Sequence, residues 1–203
     1  MNLLTLLFPS MVENKFDDLP EIIDSSSPWE LFSDTTAGII SQMQKKIGAD
    51  EIFIHPSAKI GEFVTMEAPC YIGKNVEIRP GAYLRKGSWI CEGSLVGHST
   101  EIKNSILMPG SKAPHFNYVG DSILGSKVNL GAGTKLSNIR NDRRDIIVTL
   151  GDGERKTTGL KKMGAIIGEN SQLGCNVVTN PGSILATNSM VPPNETVTGW
   201  FQS

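Results

Sequence analysis

Tyr71-Ile72-Gly73-Lys74-Asn75-Val76-Glu77-Ile78-Arg79-Pro80-Gly81-Ala82-Tyr83-Leu84, residues 71–84, places Ile72, Ile78 and Leu84 six positions apart. Outward from this stretch the spacing runs from Ile54 to Met108, through Ile60, Met66, Ile90, Val96 and Ile102. Four residues after each aliphatic comes a residue that is mostly small or β-branched, such as Val76, Ala82, Ser88, Ser94 and Thr100. Neither a helix nor a simple strand repeats every six residues. This period marks a hexapeptide parallel β-helix, in which each hexad supplies one short strand and one corner. The aliphatic points inward, the small residue lets the chain turn, and three hexads close a triangular coil. Positions eighteen apart therefore stack. Such helices wind left-handed, against the usual right-handed crossover.

The repeat resumes with shifted phase at Leu124, Leu130 and Leu136, and again at Ile167, Leu173, Thr179, Leu185, Val191 and Val197. The first shift is expected around Pro114-His115-Phe116-Asn117-Tyr118. The second gap spans Ile139 to Ala165. An idealised solenoid needs neither, and places where local rules fail are candidate functional sites.

The fold class read from this pattern is an all-β solenoid with a small N-terminal helical cap and one long inserted loop. Residues 1–50 form the extension and cap, and residues 51–203 the β-helix, with the insertion at 139–165. Asp24-Ser25-Ser26-Ser27 reads as a turn or linker. Ser27-Pro28-Trp29-Glu30 reads as a helix start with a capping box. A second helix is expected from Ser33 or Asp34, with Ile39, Ile40, Met43 and Ile47 on one face and Gly48 as its stop. These helices are expected to cover the open end of the solenoid, since terminal repeats need a cap. Within the insertion, Ile146 to Gly153 reads as a hairpin turning at Gly151-Asp152-Gly153. Basic residues crowd its two ends: Arg140, Arg143 and Arg144, then Arg155, Lys156, Lys161 and Lys162.

At 203 residues, with a net charge of -2 and a pI near 5.9, the composition argues against nucleic acid or an anionic membrane as the main partner. Three cysteines, Cys70, Cys91 and Cys175, lack metal-ligand spacing and fit a reduced, cytoplasmic protein. Leu3 to Phe8 is too short and lacks the basic leader of a signal sequence.

Gly110-Ser111-Lys112-Ala113-Pro114-His115-Phe116-Asn117-Tyr118-Val119-Gly120-Asp121, followed by Val128-Asn129-Leu130-Gly131-Ala132-Gly133-Thr134, is a specific motif. It resembles the acetyltransferase domain of the bifunctional glucosamine-1-phosphate acetyltransferase/N-acetylglucosamine-1-phosphate uridyltransferase family. Ser137-Asn138-Ile139-Arg140-Asn141-Asp142 and the long basic loop look closer to the archaeal-type sugar-1-phosphate nucleotidyltransferases that carry the same domain. The likeness covers about Trp29 to Val197. It implies acetyl-CoA as cosubstrate, a hexosamine 1-phosphate as acceptor and a homotrimer with the site between subunits, with no metal. His115 matches the family's base, and a neutral imidazole suits removal of an amine proton near neutral pH. Arg85 and Lys103, eighteen apart, match its phosphate-binding pair. Tyr118, Asn129 and Lys162 match substrate contacts, with Lys161 an equal candidate to Lys162. Asn138 falls near the sugar amine and the acetyl carbonyl.

The sequence also departs from that pattern. Ile139 stands where a Tyr is common, and Cys175 where the bacterial proteins have a Ser that helps to polarise the acetyl carbonyl. Trp200-Phe201-Gln202-Ser203 carries none of the basic residues with which the bacterial proteins grip CoA, so a different hold on CoA is expected. No Gly-rich nucleotide loop precedes the solenoid, so acyl transfer without nucleotidyl transfer is expected. A rival reading is a non-catalytic partner or regulatory subunit of a sugar nucleotidyltransferase. A metal hydratase would need three convergent histidines. His55 and His98, more than two coils apart, read instead as surface and corner residues.

Overall fold

A computed structural model describes residues 2–13, 18–21 and 26–203. Three parallel sheets of eight, seven and seven strands enclose one core as a left-handed β-helix of about eight turns. The first face begins with Ile52–Ile54, the second with Lys59–Ile60 and the third with Thr65–Met66. Each coil passes over the three faces in that order. In-register stacking places Ile72, Ile90, Leu107, Leu124, Ile167 and Leu185 above one another on the first face. These aliphatics, with Ile78, Leu84, Val96 and Ile102, form the buried axis of the coil.

The small positions four residues on are corners whose hydroxyls satisfy buried carbonyls. Ser88 Oγ donates to Arg85 O at 2.6 Å and Ile102 O at 3.0 Å. Ser183 Oγ repeats the pattern with Asn180 O and Val197 O. A Ser or Thr thus turns the chain and fills an acceptor that burial would otherwise leave unpaired.

The phase shift lies elsewhere than the repeat implied. Inward positions step by five from Ile102 to Leu107 and again from Val119 to Leu124. The stretch around His115 keeps regular spacing, with Ala113 and Val119 both inward. Asn104 (φ 44°) and Asp121 (φ 48°) take left-handed conformations at these shortened corners, which Asn and Asp tolerate better than most residues. Met108 is buried too, but outside the coil in a second cluster. Burial on both sides of the first face is why hydrophobicity alone picked Met108 over Leu107.

That second cluster covers the outer side of the first face. Helix α1 (Leu3–Leu7) runs on into the short helix α2 (Pro9–Glu13), and α1, the 3₁₀ turn Pro28–Phe32 and helix α3 (Ile39–Ile47) lay Leu3, Leu7, Trp29, Phe32, Ile39 and Met43 against Trp89, Ile106 and Ile123. Lower down, the hairpin Ile147–Thr149/Arg155–Thr157 adds Ile146, Val148 and Leu150 beside Ile166 and Ile184. The N-terminal helices cap the solenoid along its flank, not over its open end. Ile52, Phe53, Ile54 and Ile60 of the first coil remain exposed. The outward residues of the first face are large and apolar, so the larger gain in burial lies there.

The helix starts also differ from the sequence reading. Ser27 makes no side-chain cap, so no capping box forms, and α3 begins at Ile39. Gly48 ends α3 as expected, at φ 108°. Asp24 and Ser25 lie outside the described residues. Among those residues, no helix is long and apolar enough to cross a membrane.

Two polar contacts fasten the flank. Trp89 Nε1 donates to Asp18 O at 2.5 Å, and Ser10 Oγ donates to Glu169 Oε1 at 2.5 Å. Trp89 is 1 % exposed. Trp89→Ala is expected to cost about 3–5 kcal/mol, the usual range for emptying an aromatic site, as read from the midpoint and slope of urea unfolding. A loss under about 1 kcal/mol would mean that the helical flank adds little packing.

Candidate active site

The corner from the third to the first face carries the cations. Arg85 and Lys103 stack there on adjacent coils, followed by Asp121 and then Asn138. The shortened corners turn Asp121 inward, leaving it 3 % exposed. Lys103 Nζ donates to Asp121 Oδ1 at 3.2 Å and Oδ2 at 3.1 Å. Asn104 Nδ2 donates to Oδ1 at 2.8 Å, and Asn138 Nδ2 to Oδ2 at 2.5 Å. Tyr118 Oη lies beside Asn138 Nδ2 over Gly120. Gly120 makes room for this contact: a Cβ there would lie 2.6 Å from Tyr118 Oη and 2.7 Å from Asn138 Nδ2. Burial, helped by the Asp121 carboxylate, raises the Tyr118 phenol above its ordinary pKa, so it stays a neutral donor.

Arg85 Nη1 donates to Glu101 Oε1 at 2.9 Å, and this bond raises the guanidinium pKa further. Arg85 Nε is buried and has no hydrogen-bond partner among the described residues. Buried donors rarely stay unpaired without a reason, and a bound anion would supply one.

Arg85 and Lys103 floor a cleft of about 720 Å³. Phe32, Ser33, Asp34 and Ile40 wall it from the N-terminal segment, and Gly159 to Lys162 close it from the insertion. The lining holds five cations, Arg85, Lys86, Lys103, Lys161 and Lys162, against three carboxylates, Asp34, Glu67 and Asp121. That excess suits an anionic ligand. Lys161 is tied to Asp145 at 2.7 Å. Lys162 has no ion pair among the described residues, which makes it the freer of the two candidates.

The corner from the second to the third face is a separate locus. His115 ends the strand Lys112–His115, beside His98 of the preceding coil. Its ring is exposed and makes no hydrogen bond among the described residues. Cys175, also exposed, stands two coils along the same corner. Asn129 lies on the second face, half-buried. One chain therefore gathers Arg85, Lys103, Lys162, Tyr118 and Asn138, and leaves His115, Cys175 and Asn129 one side of the triangle away. Neither Asn129 nor Asn138 is among the left-handed corner residues, so neither is needed to make a turn.

His98 Nδ1 donates to Pro80 O at 2.7 Å, and His55 Nδ1 meets Ser57 Oγ at 2.9 Å. Among the described residues, no group of three potential metal ligands converges. The sequence reading missed Asp121, Asn104 and Glu101. The five-residue steps flanking Asn104 and Asp121 were the available signal.

Fold and cleft define a hexapeptide-repeat β-helix with a corner rich in cations. A family model described as the GMPPB C-terminal domain matches residues 49–139. The chain is 34 % identical over 189 residues to a bifunctional protein GlmU of Methanococcus aeolicus, covering 84 % of this chain and 43 % of that protein. It is 39 % identical over 118 residues to a bifunctional sugar-1-phosphate nucleotidylyltransferase/acetyltransferase of Sulfurisphaera tokodaii, covering 58 % and 29 %. A crystal structure of a hexapeptide transferase family protein from Anaplasma phagocytophilum aligns with a TM-score of 0.43 at 19 % identity, over 70 % of this chain and 74 % of that one. The chain is thus related to the GlmU-like bifunctional proteins through their acetyltransferase part. It spans less than half the length of these two curated relatives.

Proposed function

We propose that this chain transfers an acetyl group from acetyl-CoA to the amine of a hexosamine 1-phosphate, acting as a homotrimer. The observation that carries this reading is the cleft that joins Arg85, Lys103 and Lys162 to the Tyr118–Asn138 pair through Asp121. The cations suit the phosphate, and the amide and phenol suit the sugar's polar edge. The Sulfurisphaera tokodaii relative, named as a nucleotidylyltransferase/acetyltransferase, supports the reaction class.

In the reaction, the amine nitrogen attacks the thioester carbonyl carbon. His115 takes the proton that the amine gives up, the carbon–sulfur bond breaks, and CoA leaves as the thiol once it regains a proton. Asn138 faces the amine, and the Cys175 thiol, a weak donor, lies toward the acetyl carbonyl. His115 and the cations occupy different corners of one chain. Threefold packing would set the His115 corner of one copy against the cleft of the next. The outer side of the first face is already covered by helices and hairpin, which leaves the other two faces for assembly. Light scattering at micromolar concentration is expected to give a trimer. A monomer would remove the shared site.

The deciding experiment is a panel of hexosamine 1-phosphates incubated with acetyl-CoA, read by release of free thiol. Turnover with at least one member is expected. Binding of a sugar phosphate without turnover would favour the non-catalytic partner of a nucleotidyltransferase.

A further inference from the structure

Asp121 sits at the centre of the cleft's polar contacts, almost fully buried in its wall. Its backbone is as constrained as its side chain. The amide N–H donates to Lys103 O at 2.9 Å, the carbonyl accepts from Gly164 N at 2.8 Å, and φ is 48°. The carboxylate cannot turn away without breaking its bonds to Lys103, Asn104 and Asn138.

An ionised carboxylate only accepts hydrogen bonds. The Asn138 group that meets it at 2.5 Å must therefore be the NH₂ end. The Tyr118 contact lies at the same end, because Asn138 Nδ2 and Tyr118 Oη flank the space above Gly120. The amide's other end, Oδ1, is then held away from Asp121 as a free acceptor. We infer that Asp121 is a positioning residue: it fixes the sense of the Asn138 amide so that its carbonyl oxygen faces the acceptor amine. The inference rests on the acetyltransferase reading above and adds a residue to it. With the amide reversed, an NH₂ group would meet the amine's own N–H groups, and the nucleophile's lone pair would lose its alignment.

Asp121→Asn tests this, because its side chain keeps the size but allows the Asn138 amide to face either way. kcat is expected to fall roughly ten- to a hundred-fold, the range for losing a hydrogen bond to a charged group. The Michaelis constant for sugar phosphate should stay level or drop, since Lys103 loses its counter-charge. In an Asn138→Ala background the same change should add nothing to the kcat loss, because Asp121 acts through Asn138. Independent, multiplying losses would overturn the inference, as would an unchanged kcat in the single variant. Should Asp121→Asn fail to fold, the exchange Asp121→Asn/Asn138→Asp decides in its place. It keeps one donor and one carboxylate across the contact and leaves an acceptor oxygen toward the amine. Activity above that of Asn138→Asp supports the inference. A folded but no more active exchange, or an exchange that also fails to fold, makes Asp121 a residue of the fold alone. An inactive wild type would instead overturn the reaction itself, and this role with it.

Discussion

His115→Ala is expected to lower the rate of acetyl transfer by about a hundred-fold or more, the usual contribution of a positioned base. Melting and oligomeric state should barely change. The ring is exposed, makes no hydrogen bond among the described residues and is not one of the inward aliphatics. Removing it leaves neither a cavity nor an unpaired buried group, the two usual sources of a large stability loss. The deficit should narrow as pH rises, because a growing fraction of the acceptor is already free amine. His115→Asn keeps a polar group on the corner and should be as slow as the alanine variant. Wild-type turnover by either variant would leave the reaction without its base and shift the balance toward the non-catalytic partner. Loss of folding would make His115 a structural residue.

Lys103→Ala is expected to raise the Michaelis constant for sugar phosphate about ten- to a hundred-fold, the range for a hydrogen bond to a charged group, with a smaller change for acetyl-CoA. Arg85→Ala should act in the same direction but less strongly. The difference comes from what each substitution leaves behind. Arg85 is paired with Glu101, whose side chain is 34 % exposed, so water can solvate the abandoned carboxylate. Lys103 is paired with Asp121, whose side chain is 4 % exposed. Without Lys103, that buried charge stays among two amides and faces the incoming phosphate with like sign. Both residues would hold the phosphate in ground and transition states alike, so the loss should fall mainly on binding. Initial rates with each substrate varied in turn separate the two constants. Equal effects on both substrates would remove the phosphate assignment.

The fold was legible because one physical demand repeats every six residues: a large aliphatic inside, then a small residue to turn. Ile72, Ile78, Leu84 and Leu130 follow it without exception. The reading failed where a residue is buried on both sides of the wall. Met108 and Leu107 are adjacent and equally apolar, and only the corner at Asn104 decides which of them faces the axis. The helical flank could not be placed because its apolar stripe, Ile39 and Met43, fits an open coil end or a covered face equally well by pattern. The candidate site was half legible. Arg85 and Lys103 came from stacking at eighteen residues, and His115 from the motif. Asp121 escaped because its importance lies in three partners from the coils on either side of it, Lys103 and Asn104 from one and Asn138 from the other, whose meeting depends on two shortened corners.

A solenoid whose coils touch only their neighbours behaves as a one-dimensional chain, and its end repeats fray before the middle melts. The covered first face changes that statistics. Residues 2–13 reach the coil at Glu169 through Ser10, while Asp18, a few residues further along the chain, holds Trp89 several coils away. The hairpin of the insertion ties its own coils to Trp200, against which Gly151 closely packs. Distant coils thus share a second, lengthwise core, so opening a coil that it covers strips packing from the others. The covered coils are therefore expected to unfold together, in one cooperative step.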